Sequence, residues 1–194
     1  MQQKVSKQKT ISGFTLYEVM VSVAIIAILS AVSFYSLSSY ADYFTLKEAS
    51  RGIDSLLRTT QGYAINIQNI DGDDQYVGRY GLRFSTNTKT ETILFSDNNL
   101  ENFMYNGGSE YIQKTTLGRG VELSKICYLT TTNATENCSV TDLDVVFVRP
   151  RPDANVRINS QNIANVKEIR LEYLSPKGRV ANVVFGVKGY ITNN

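Results

Sequence analysis

A carboxylate lies near the start of an apolar run long enough to cross a bilayer, and that pairing limits what this chain can become. From Phe14 to Phe34 the sequence reads FTLYEVMVSVAIIAILSAVSF, with Glu18 as its only charged side chain. Roughly 20 predominantly apolar residues suffice for a transmembrane helix. A charged side chain inside such a helix costs about 2.5–3.5 kcal/mol at the centre and less near an end, so the burial of Glu18 must be offset by a partner. Thirteen residues precede Phe14, with Lys4, Lys7 and Lys9 and no acidic side chain. The positive-inside rule holds that end in the cytoplasm and sends the remainder across.

Beyond the apolar run about 160 residues remain, enough for one modest domain with its own core. The net charge of +2 becomes −1 once the three leading lysines are set aside, so there is no global electrostatic drive toward nucleic acid. Histidine is absent, which removes the commonest general base and the commonest transition-metal ligand. No G-x-S-x-G, phosphate-binding glycine loop or Cys-x-x-Cys occurs, and no enzymatic activity is expected. Twelve Tyr, thirteen Gly and many Thr, Asn and Val suit short strands and turns in the distal part.

A secretory signal peptide would be cut after its apolar region. Here the clear small-residue junction, Ser12-Gly13-Phe14, lies before it. Glycine at a cut point lets the backbone enter an active site closely. Glu18 follows Phe14 by four residues, one helical turn.

The run GFTLYEVMVSVAIIAIL resembles the prepilin-type signal of the type IV pilin and pseudopilin superfamily, whose usual form is G-F-T-L-x-E followed by a long apolar helix. The resemblance implies that a prepilin peptidase cuts between Gly13 and Phe14 and methylates the new amine of Phe14. It also implies that Glu18 pairs with the Phe14 amine of an adjacent subunit and so sets filament register. Read from the residues alone, Glu18 could equally sit at headgroup level or favour a helix N-terminus through the dipole. Many members carry a helix-bending proline about twenty residues into the mature chain; here the corresponding run is Ala31-Val32-Ser33-Phe34. Serine can bond back to a preceding carbonyl without removing a ladder bond, so a less interrupted helix is expected.

From Tyr35 to about Ile67 no proline occurs, and Leu46, Ala49, Ile53, Leu56, Leu57, Ala64 and Ile67 recur at helical spacing. The opposite face carries Asp42, Lys47, Glu48, Arg51, Asp54 and Arg58. The division expected is therefore a leader at 1–13, a transmembrane and assembly half of one helix at 14–34, its amphipathic half at 35–69, and a globular β domain at 70–194.

Strands are predicted at Tyr80–Phe84, Glu91–Phe95, Ser109–Gln113, Val121–Tyr128, Leu143–Val148, Arg157–Ile158, Val166–Leu174 and Val180–Ile191, separated by Asn, Asp, Gly and Pro turns. The fold class expected is α+β and pilin-like, a long N-terminal helix on an antiparallel β domain of two sheets. Tyr80-Gly81-Leu82-Arg83-Phe84 and the turn Ser175-Pro176-Lys177-Gly178-Arg179 resemble landmarks of the H-type pseudopilins and related minor pilins.

Cys127 and Cys138 flank a turn-rich loop on the translocated side, where a disulfide persists, and a structural bridge is favoured over free or metal-bound thiols. Asp71, Asp73 and Asp74 would be the ligands of a calcium site, but the run lacks the twelve-residue spacing and distal Glu, so a solvated acidic loop is preferred and no metal or other cofactor is expected. Arg149, Arg151 and Arg157 would be the residues to touch DNA phosphates; the prolines between them and the lack of a stacking platform favour a rigid solvated loop.

The resemblance implies a minor pilin or pseudopilin, held as a single-pass inner-membrane protein with its domain outside and then assembled into a pilus or a type II secretion pseudopilus. Its partners would be prepilin peptidase, other pilin subunits, the inner-membrane assembly platform and the membrane, with nucleic acid not expected. The alternative is a binding module at a filament tip, a receptor for DNA, a surface or a secreted substrate.

Overall fold

A computed structural model describes residues 13–66, 78–98, 102–133, 135–150, 153–189 and 191–193. The chain divides into two compact units between Tyr40 and Ala41. One α-helix, α1 (Leu16–Ile65), contributes to both. It starts two residues later than the apolar pattern suggests, because Thr15 caps it from outside. Of the predicted amphipathic half, residues 67–69 lie outside the described residues, and Asn66 already forms a turn.

In the first unit, Leu16–Phe34 has a mean hydropathy of 2.1 and none of its surface is buried within the chain. The serine hydroxyls in this stretch find partners without leaving the helix. Ser22, Ser30 and Ser33 each donate to the carbonyl four residues back, Ser33 to Leu29 at 2.9 Å. That geometry satisfies the hydroxyl where no water is available and leaves the helical ladder intact.

In the second unit, α1 buries Leu46, Ile53, Leu57 and Ala64 in the core. Their spacings of seven, four and seven keep them on one stripe of the helix. Ser50 and Thr60 are buried on the same side, with hydroxyls bonded to the carbonyls of Lys47 and Leu56.

Eleven strands follow among the described residues: β1 (Arg79–Ser85), β2 (Glu91–Ser96), β3 (Tyr111–Thr116), β4 (Glu122–Thr130), β5 (Asn137–Val140), β6 (Asp142–Val148), β7 (Ala154–Ile158), β8 (Gln161–Asn162), β9 (Val166–Leu174), β10 (Val180–Gly186) and β11 (Ile191–Asn193). They form two antiparallel sheets, one in the order β3-β2-β1-β6-β7-β8 and the other β11-β10-β9-β4-β5. The α+β architecture with two sheets is the expected one.

Several boundaries move. The strand expected at Ser109–Gln113 begins at Tyr111, because Gly107 and Gly108 adopt φ of 81° and 61° and open a 3-10 turn over Gly108–Glu110. The strand expected to run to Ile191 breaks after Gly186, where a turn ending at Gly189 (φ 92°) folds β11 back onto β10. Two strands escape the sequence pattern. β5 is polar and short, and it is held beside β4 by covalent bonding; β8 has two residues and follows the tight turn Asn159-Ser160, both at positive φ. Positive φ at both central positions is the signature of a type I′ hairpin, here without the usual glycine.

The core is shared by α1 and both sheets, with Tyr80, Leu82, Phe84, Ile126, Leu143, Val145, Ile169, Leu171 and Tyr173 fully buried. Tyr63 on α1 meets Tyr80 edge-on, with ring centroids 6.2 Å apart. A second, smaller packing region lies on the other face of the six-stranded sheet. Phe95 lies over Gly81, and its ring packs on Tyr105 at 5.4 Å. Gly81 is required there, since a Cβ would fall 2.6 Å from the Phe95 ring.

Candidate processing and assembly site

Gly13, Phe14 and Thr15 lie outside any regular element, immediately before α1, and Phe14 is exposed. A Cβ on Gly13 would meet nothing within 4 Å. The fold itself therefore places no steric demand on glycine at this position, and a demand for it must come from something that approaches the backbone from outside.

Thr15 and Glu18 close the helix N-terminus reciprocally. The Glu18 amide donates to Thr15 Oγ1 at 3.3 Å, while Glu18 Oε2 accepts from the Thr15 amide and from Thr15 Oγ1, both at 2.9 Å. This is a capping box, which occupies amide donors that a helix start leaves unpaired. Of the readings open in the sequence, the helix-terminus role is the one realised within this chain. The T-x-x-E spacing was the signal that carried it, and it lies inside the longer G-F-T-L-x-E motif.

Cys127 on β4 and Cys138 on β5 form a disulfide, with Cα atoms 4.1 Å apart. Arg170 on β9 lies alongside, bonded to Glu136 and 3.7 Å from Cys127 Sγ.

The remaining candidates do not converge. Asp71, Asp73 and Asp74 lie outside the described residues, as does Arg151. Arg149 is exposed just beyond β6, but Arg157 is opposite Asp144 in the β6–β7 register, five positions from Arg149 along the chain of β6. Arg157 is partly buried, and its Nε donates to the Asn102 carbonyl at 2.8 Å. It holds the segment after β2 against the sheet.

Asp142 and Asp144 stand at the start of β6. In the fold both meet Arg83 of β1, Asp142 at 3.2 Å and Asp144 at 3.1 Å, and Arg83 also contacts the Tyr105 carbonyl and ring. Asp144 is almost fully buried, and desolvation pushes its carboxyl up to about 7 despite the opposing pull of Arg83. The available signal was Asp144 interrupting the apolar run of β6 at a position that pairs with Arg83.

Residues 8–34 match the family model described as the prokaryotic N-terminal methylation motif. That segment carries a prepilin-type N-terminal signal, as found in the type IV pilin and pseudopilin superfamily. The match covers the N-terminal segment alone. No curated protein and no solved structure matches the chain. A pilin-like subunit is a structural class of protein rather than an enzyme class, and an apolar helix next to the N-terminus fits a membrane-anchored member.

Proposed function

We propose that this chain is a minor pilin or H-type pseudopilin, cut by prepilin peptidase between Gly13 and Phe14, methylated on Phe14, and assembled through α1 into a pilus or a type II secretion pseudopilus. The observation that carries this reading is the single helix Leu16–Ile65, which begins directly behind the Gly13-Phe14 junction and joins an apolar half to a half that buries its stripe in the β domain. An anchor meant to be discarded would have no reason to be continuous with the core of the domain. Gly13 and Phe14 lie outside any regular element and are exposed, as a protease substrate needs to be.

Before cleavage Thr15 and Glu18 close the helix start. Cleavage creates a cationic amine on Phe14, and Glu18 can then exchange its bonds to Thr15 for a charge pair with that amine on a neighbouring subunit. The β9–β10 hairpin around Ser175–Arg179 supports the H-type assignment, and the lysine-rich leader supports an N-terminus in the cytoplasm with the disulfide-bearing domain outside it.

The test is intact mass and N-terminal sequencing of the full chain extracted from membranes, produced with and without a prepilin peptidase. The expected mature chain begins at methylated Phe14. Cleavage after residue 34, or the same mass in both preparations, overturns the proposal.

A further inference from the structure

A groove of about 680 Å³ runs between α1 and the first residues of β10, within the second unit. Its lining from α1 is Tyr43, Leu46, Lys47, Ser50 and Arg51, and from the sheet Arg179, Val180 and Ala181. Three of these side chains are cationic and none is acidic. Arg51 is exposed and makes no ion pair among the described residues, and the Lys47 ammonium engages Tyr43, lying 3.2 Å from its hydroxyl and 5.4 Å from its ring centroid. The carboxylates nearby are Asp42, held by Ser175 and 3.7 Å from Arg179, and Glu48, which lies with Lys47 and Arg51 along an adjoining groove. Leu46 and Ser50 form a buried floor, while Tyr43 and Val180 are apolar surfaces left 42% and 51% exposed.

Among the described residues the strand on this groove is open along part of one edge. β9 pairs with β10 from Val180 to Gly186, whereas β11 pairs with it only at Val183–Phe185 among the described residues. Among the described residues Val180 and Ala181 have a ladder neighbour on one side alone, and both line the cationic, apolar groove. An unpaired edge is a template for another extended chain.

We propose that this groove is a docking site for an extended acidic segment of a partner polypeptide, which adds as a short strand beside Val180–Ala181 and places its carboxylates against Lys47, Arg51 and Arg179. Charge complementarity selects the acidic partner. The open edge favours a polypeptide over an anionic lipid, since lipid has no backbone amides to extend the ladder. This inference does not depend on the filament assignment, because every residue in it belongs to the domain.

The test uses the full chain in phosphatidylcholine nanodiscs and a fluorescent peptide of alternating glutamate and valine. Binding is expected, and Lys47→Glu combined with Arg51→Glu should weaken it about tenfold or more with an unchanged melting profile. The reversal Lys114→Glu with Arg149→Glu, on β3 and just beyond β6 of the other sheet, should leave it unaltered. A lysine–valine peptide should not bind, nor should a glutamate peptide with proline at alternate positions, which blocks strand pairing. The proposal is overturned if the acidic peptide fails to bind, if the proline version binds equally well, or if both double variants lose binding alike. It is also overturned if phosphatidylglycerol is retained by the wild type and lost by the groove variant in native mass spectrometry of mixed-lipid nanodiscs, which would give the groove to lipid.

Discussion

Ser175, in the turn between β9 and β10, donates a 2.8 Å hydrogen bond to Asp42 Oδ2 on α1, across 133 residues of sequence. The Ser175 hydroxyl also accepts from the Arg179 amide at 3.0 Å, so one side chain both shapes the turn and fastens it to the helix. Asp42 is buried, and removing its donor leaves a carboxylate whose one remaining partner among the described residues is Arg179, at 3.7 Å. Ser175→Ala should therefore destabilise the domain by about 1–3 kcal/mol. Asp42→Asn with Ser175 intact should cost less, because an amide keeps a partner there without a buried charge. Urea unfolding monitored by tyrosine fluorescence checks both; equal stability of Ser175→Ala and wild type would deny the bond a role.

Gly81 offers a steric test. With Phe95 Cζ at 2.6 Å and the Val145 carbonyl at 2.9 Å from the site of a Cβ, Gly81→Ala overpacks the outer face of the six-stranded sheet. The expected loss is about 1–3 kcal/mol. Phe95→Leu in the same chain should recover part of it, since the smaller side chain vacates the space. A double-mutant cycle by thermal melting would show coupling between the two sites if the ring is the obstacle, and additivity if it is not.

Asp144 should make stability fall as pH rises. Its carboxyl is lifted by burial to about 7, above the ordinary carboxylate value it regains on unfolding. The folded state thus holds this proton more tightly, and the contribution is fully present below about pH 4 and is lost as pH rises through about 7. Over that window the decline attributable to this group is on the order of a few kcal/mol. Asp144→Asn should flatten the profile between pH 5 and pH 8, read as melting temperature against pH. A profile unchanged by the substitution would mean that Asp144 titrates normally.

Thr15 and Glu18 can be separated. Thr15→Val removes one half of the capping box and keeps the carboxylate, whereas Glu18→Ala removes the group assigned to subunit pairing. Thr15→Val is expected to weaken the helix start by about 1 kcal/mol while the protein still enters filaments. Glu18→Ala should still insert and be cleaved but be recovered poorly in sheared filament fractions. Filament recovery of Glu18→Ala equal to wild type would remove the register role.

The parts of this fold that were legible in sequence are those where one period dominates. The apolar span and the three- and four-residue spacing from Leu46 to Ala64 dictated the helix, and strands with buried alternation such as Val166–Leu174 were found at their full extent. Strands made by tertiary contacts were not legible. Nothing in Asn137–Val140 alternates, and it becomes a strand because Cys138 is bonded to Cys127 on its neighbour. The two-residue β8 depends on Asn159, whose side chain accepts from the amides of Thr141 and Asp142 and so fixes the turn from across the sheet. At the candidate processing site the motif and the helix-terminus reading of Glu18 were both visible, while the reciprocal bonding with Thr15 shows only once the helix start is formed. The Arg83 cluster was hidden for a different reason: Asp144, 61 residues from Arg83, and the nearby Asp142 share a site with its guanidinium only once β1 and β6 are in register.

The back-bonded serines of the apolar half bear on how such a helix changes surroundings. With Ser22, Ser30 and Ser33 each closed onto the preceding turn, the described surface of Leu16–Phe34 beyond Glu18 offers no hydroxyl hydrogen seeking a partner. Hydrocarbon tails and the flank of another apolar helix are then nearly equivalent media for it. What distinguishes one destination from another is left to the single carboxylate at its tip.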